Sequence, residues 1–195
     1  MSLKTALSAK VPDSTIDYCV ALEKKHPFRF KITRARSSKL GDYRYDGKLH
    51  QITVNEDLNP YAFLITYLHE VAHRITKEKH PRAPAHGIAW KTIFQNLLTE
   101  VLQFAPFPED ILPEVLQFIA NPKASSHADK KLYMALRQFD DHQGDLLADI
   151  PPGTNFNFRG TTYRKEHKRR TRSLCTQLAT GRQYLISESA EIELI

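Results

Sequence analysis

Residues 58–73 read LNPYAFLITYLHEVAH, and the rest of the chain is best read outward from this stretch. Asn59 suits a helix N-cap and Pro60 the first helical position. Leu64, Leu68, Ala72 and Ile75 recur at spacings of three and four, which predicts a helix with one apolar stripe. His69 and His73 then lie one turn apart on a single face, beside that stripe. Their two imidazoles can bind one metal ion. Glu70, next to them, can take a proton from a water on that metal. The HExxH pattern is typical of zinc hydrolases that cut amide bonds. The plain alternative is a helix with two hydrogen-bonded histidines and a solvated glutamate.

A catalytic zinc needs a third protein ligand and an open position for water. The extended pattern HExxHxxGxxH fails, because Thr76 stands at the glycine position and Lys79 at the last histidine. Glu100, Glu109 and Glu114 are conceivable ligands with no supporting motif around them. His80 precedes Pro81, which disfavours a helical conformation there. His86 is followed by Gly87 and the periodic run Ile88, Trp90, Ile93, Phe94, Leu97, Leu98, Val101. That places His86 at the start of a helix able to return antiparallel to the first, and makes it the favoured third ligand.

Upstream, residues 13–26 read as a helix with Cys19 on its apolar side, an inert core thiol. Residues 28–34 alternate apolar and polar as a half-buried strand, and 41–45 and 49–54 read as two more strands. Asp46-Gly47 between the last two is a strong hairpin signal. The three together predict an antiparallel meander supporting the HExxH helix. A sheet edge beside the metal could hold an extended substrate as an added strand. Downstream, residues 109–120 and 127–139 read as helices, and Pro151-Pro152-Gly153 marks a boundary. Two domains follow: 1–150, carrying the HExxH helix and a helical extension, and a small β module at 151–195.

The net charge is +6, and it is uneven. Residues 159–182 hold six Arg and two Lys against one Glu, so the excess lies in the C-terminal module. Phe156, Phe158, Tyr163 and Tyr184 interleave with these cations. Lys165, Lys168, Arg169, Arg170 and Arg172 are the candidate nucleic-acid-binding residues, pairing with phosphates while aromatics stack on bases. The other reading is the solvated basic face of a small sheet. No run approaches the roughly 20 apolar residues that span a membrane, and no secretory signal opens the chain. Two cysteines make no disulfide framework, so a cytoplasmic protein without a membrane partner is expected. No exposed apolar stripe stands out, which predicts a monomer.

The combination His69-Glu70-Val71-Ala72-His73, a twelve-residue spacer and His86-Gly87-x-x-Trp90 resembles the SprT-like metalloprotease family. That family includes the bacterial SprT proteins and the eukaryotic protease Spartan, which acts on DNA–protein crosslinks. The resemblance covers about residues 13–105 well and the tail more loosely. It implies an α+β fold with a zincin-like core: a helix, the three-stranded meander, the HExxH helix and a return helix. It also implies one Zn²⁺ per chain held by His69, His73 and His86, with Glu70 as general base. The implied substrate is protein, and the implied partner of the basic module is DNA. Many bacterial members end in a four-cysteine zinc ribbon. Cys19 and Cys175 alone cannot build one, so the strand pattern from Phe156 to Ile186 reads as a metal-free ribbon held by apolar and aromatic packing.

Three functional classes therefore stand: a zinc metalloendopeptidase acting on proteins, including proteins on DNA; a DNA-binding protein with a structural or latent zinc site; and a metal-dependent amide hydrolase with a small-molecule substrate. Intact Glu70 favours the first, since a structural site has no use for it. Structural zinc sites are also usually closed by four protein ligands, often Cys.

Overall fold

The structure is a computed structural model that describes residues 2–36, 39–123, 129–141 and 144–195. The chain divides into two units, Met1–Asp141 and His142–Ile195. The division falls before the boundary expected at Pro151, because residues 145–146 already pair within the second unit.

In the first unit the elements run α1 (Leu3–Leu7), α2 (Ile16–Lys25), β1 (Arg29–Thr33), β2 (Gly41–Tyr45), β3 (His50–Asn55), α3 (Pro60–Lys79), α4 (Ile88–Val101), α5 (Leu112–Ala120) and α6 (Lys130–Arg137). Asn59 caps α3 as expected: its side-chain oxygen accepts from the N–H groups of Tyr61 and Ala62 at 3.1 and 3.0 Å. The Asn59 amide also donates to the Leu136 carbonyl and the Asp140 carboxylate, so the cap ties α3 to the end of α6. Phe63, Leu64, Tyr67, Leu68, Val71 and Ala72 are all buried, so α3 is enclosed nearly all round rather than along one stripe. The expected start of the last helix at residue 127 lies outside the described residues, and α1, with Leu7 fully buried, has no counterpart in the sequence reading.

The three strands do not form an antiparallel meander. Their order is β1-β3-β2, with β3 central, antiparallel to β2 and parallel to β1. The Asp46-Gly47 signal accounts for the antiparallel pair. The Asp46 carboxylate accepts from the N–H groups of Lys48 and Leu49, and Gly47 takes φ +97°. The sequence between β1 and β2 has no comparable Asp-Gly signal, and β1 pairs instead with β3, the strand holding Ile52 and Val54, both fully buried. Phe30 of β1 meets Phe63 and Tyr67 of α3 edge-on, at 6.4 and 5.5 Å between centroids. The sheet therefore packs one face on α3 and leaves β2 as an edge strand.

The second unit holds β4 (Asp145–Leu146), β5 (Asn155–Phe158), β6 (Thr161–Arg169), β7 (Arg172–Gln177), β8 (Gln183–Ser187) and β9 (Glu191–Leu194). They form one antiparallel sheet in the order β4-β9-β5-β6-β7-β8. Its core is Leu147, Ile150, Phe156, Cys175, Ile186 and Ile192. Apolar packing is not all that holds it. The buried Lys165 ammonium donates to the carbonyls of Leu147 and Ile150 at 2.6 and 2.8 Å and lies 3.7 Å from the Glu188 carboxylate. Glu188 also accepts from the Ser173 hydroxyl at 2.6 Å and pairs with Lys168 at 3.3 Å.

Candidate metal centre

Two of the three candidate ligands come from α3 and the third from the loop before α4. The Nε2 atoms of His69, His73 and His86 converge: 3.1 Å from His69 to His73, 3.0 Å from His73 to His86 and 3.2 Å from His86 to His69. Each ring nitrogen carries its proton, or its lone pair, outward in the plane of its own ring. Three nitrogens aimed at one point therefore suit a shared cation better than mutual hydrogen bonds. This group could hold a metal ion, and among the described residues no carboxylate or thiol joins it. His80 is exposed at the C-terminal end of α3, and Glu100 is bonded to the Tyr18 hydroxyl at 3.0 Å.

His86 reaches the cluster in a way its sequence position does not suggest. It lies just outside α4, with Gly87 as the N-cap, and adopts φ +57°. Left-handed backbone costs a non-glycine residue about 1–2 kcal/mol, so the surrounding loop must hold it there. Gly87 makes the tight loop feasible: a Cβ on it would sit 2.8 Å from Pro84 Cγ.

Burial, with His73 and His86 beside it, pushes His69 down to about 2, and burial with His86 pushes His73 down to about 4. Burial lowers His86 as well. All three are therefore neutral at neutral pH, the form that binds a metal. The fully buried Trp90 packs on the whole cluster, with ring centroids 4.7 Å from His69, 5.3 Å from His73 and 4.6 Å from His86. Its indole N–H points to the His69 carbonyl at 3.4 Å. Trp90 stood in the sequence motif without a role; here it walls the three rings.

Glu70 is only 6% exposed, although a glutamate between two polar histidines is usually solvated. Burial pushes its carboxyl up to about 8, with Asp42 adding to the rise and Arg36, Lys39 and the Tyr43 backbone N–H opposing it. The last contact brings edge strand β2 onto the site. Gly41 permits the approach, since a Cβ there would lie 2.5 Å from a Glu70 carboxylate oxygen and 2.8 Å from Thr66 Cγ2. The Tyr43 ring lies nearly parallel to that of His73, at 6.3 Å and 9°, and its hydroxyl is 2.7 Å from His50 Nδ1. Sequence reasoning missed Gly41 and Tyr43. Only the position of Gly41 at the start of a strand hinted at a close approach.

The five candidate nucleic-acid residues divide. Lys165 is 4% exposed and its ammonium is spent on internal carbonyls, so it is not available to phosphates. The expectation for Lys165 is corrected on that ground. Lys168, Arg169, Arg170 and Arg172 are exposed around the turn joining β6 to β7, where Arg170 takes φ +48°. Cys19, which burial pushes up to about 12, is the inert thiol expected.

Comparison with known protein families, with curated proteins and with solved structures gives no match for this chain. Among the described residues, no helix is long and apolar enough to cross a membrane. The mixed α and β architecture agrees with the expected α+β class.

Proposed function

We propose that the chain is a zinc-dependent metallopeptidase of the SprT-like type. The observation that carries this reading is the convergence of three imidazole nitrogens within 3.2 Å of one another, with the buried Glu70 carboxyl following the first of them in the chain. Tetrahedral zinc with Zn–N bonds of about 2.0–2.1 Å sets its ligand nitrogens about 3.3 Å apart, close to the spacing here. All-nitrogen donors suit zinc, and three protein ligands leave a position for substrate.

When bound, zinc supplies a Lewis acid that polarises the scissile carbonyl and lowers the pKa of a water to about 7. His69, His73 and His86 would hold it, with Trp90 packed against their rings. Glu70 accepts the proton of the attacking water and passes it to the leaving amine. The same carboxyl can serve first as general base and then as general acid. The Tyr43 N–H steadies that carboxylate from the strand side. β2 is the free edge beside Glu70, so an extended peptide can add to it as a further strand. That edge favours a polypeptide substrate over a small amide. The exposed cations Lys168, Arg169, Arg170 and Arg172 support DNA as a partner.

The second reading is a DNA-binding protein with a latent or structural metal site. The burial of Glu70 weighs against it, because an ionisable group held out of water is costly where no chemistry uses it. The deciding experiment is digestion of unfolded casein with and without a zinc chelator. Chelation should abolish cleavage and stoichiometric Zn²⁺ restore it; cleavage that survives complete metal removal would exclude the mechanism.

A further inference from the structure

The sheet of the first unit has a second face, and its charge was hidden in the sequence totals. Residues 29–48 carry seven Lys and Arg against two Asp. Strand alternation sends Phe30, Ile32, Tyr43, Ile52 and Val54 to the core side. The opposite face is polar throughout. Register sets Arg29, Gln51 and Arg44 in one row across the three strands and Lys31, Thr53 and Asp42 in the next. Neighbouring strands are about 4.8 Å apart and successive same-face residues about 6.8 Å apart, so these side chains form a compact grid. Arg36 lies over it, donating to Asn55 Oδ1 at 2.8 Å and Thr53 Oγ1 at 3.1 Å. Its remaining nitrogen, Nη2, is buried with no acceptor among the described residues. Asp42 is the one acid on the grid, and Lys39 and Arg44 hold it at 2.8 and 2.6 Å. Arg29, Lys31, Arg36, Lys39 and Arg44 against Asp42 leave a net charge of +4.

We infer that this face binds the sugar–phosphate backbone of nucleic acid, as a surface separate from the basic β6–β7 hairpin. Guanidinium groups in a fixed array suit phosphate oxygens. The two rows hold no aromatic residue to stack on bases. Binding is therefore independent of base sequence and steeply dependent on salt. β2 joins the two functions. Asp42 and Arg44 lie on the basic face, while the Tyr43 N–H on the same strand meets Glu70. A nucleic-acid strand on this face lies across the thickness of one sheet from the candidate metal centre. The binding itself does not rest on the peptidase reading.

The test is fluorescence anisotropy of the full chain with a labelled 20-nucleotide single strand and the matching duplex, at 50 and 200 mM NaCl. The variants are R29E/K31E/R44E and the milder R29A/K31A/R44A, with K168E/R169E/R170E/R172E for comparison. The first variant should bind at least about tenfold more weakly at the lower salt, and the slope of log K against log salt should fall by about three. The alanine variant should move the same way by less, with an unchanged circular dichroism spectrum. Wild-type affinity and slope in both sheet variants would overturn the inference, leaving the hairpin as the DNA surface. So would wild-type binding to phosphatidylserine vesicles but not to either oligonucleotide. A chain that binds DNA through this face yet cleaves no protein would refute only the peptidase reading.

Discussion

Glu70→Gln is expected to keep its metal and to lose hydrolysis of unfolded casein by about 10²–10⁴-fold, the usual worth of a positioned acid–base group. Glutamine has the size of glutamate, so it fits under Gly41, where even a Cβ would meet the Glu70 side chain. Its amide oxygen can still accept the Tyr43 N–H. What it cannot do is take a proton from water and return it to the leaving amine. Glu70 is not among the three converging ligands, so metal content should be unchanged. Metal content and rate must therefore separate in this variant. A Glu70→Gln enzyme with wild-type turnover would remove the general base from the mechanism. One that lost its metal would show the carboxylate to be structural.

Lys165→Ala should lower the stability of the second unit by about 3 kcal/mol, the scale for stripping a buried cation from its acceptors. The carbonyls of Leu147 and Ile150 would lose their donor in a site closed to water. Glu188 would keep Ser173 and Lys168, which is why the loss stays below that of a wholly orphaned charge. Hydrogen exchange over residues 144–195 reads the effect where it arises. Faster exchange in β6, β7 and β9 is expected, at protein concentrations where DNA is absent. Unchanged exchange together with a loss of DNA affinity would return Lys165 to the role the sequence suggested.

That contrast marks how far the sequence could be read. Helix α3 was legible because its cap, its first-turn proline and its periodicity all agree locally, and His69, Glu70 and His73 follow from helix geometry alone. The β2–β3 hairpin was legible from Asp46-Gly47. The parallel pairing of β1 with β3 was not, because no local signal links Arg29 to Gln51. His86 was found through the periodic run after it, but its left-handed backbone was not, since a histidine carries no mark of that conformation. Lys165 was misread because a basic run looks uniform in one dimension. Its spacing of two from Tyr163 placed it on the inward face, and the bulge between Lys165 and His167 then changes the phase of the strand. β9 was missed although Glu191-Ile192-Glu193-Leu194 alternates, and so was the basic outer face of the first sheet, whose cations come together only through register.

The central claim is that three histidines from α3 and the following loop hold one metal ion. Elemental analysis of the purified wild type beside His86→Ala addresses it most directly, with circular dichroism to show that both are folded. About one zinc per wild-type chain is expected from the three-ligand geometry, with a drop to trace levels in the variant. A wild-type protein that stays free of metal after reconstitution, or a variant that keeps its full complement, would contradict the claim.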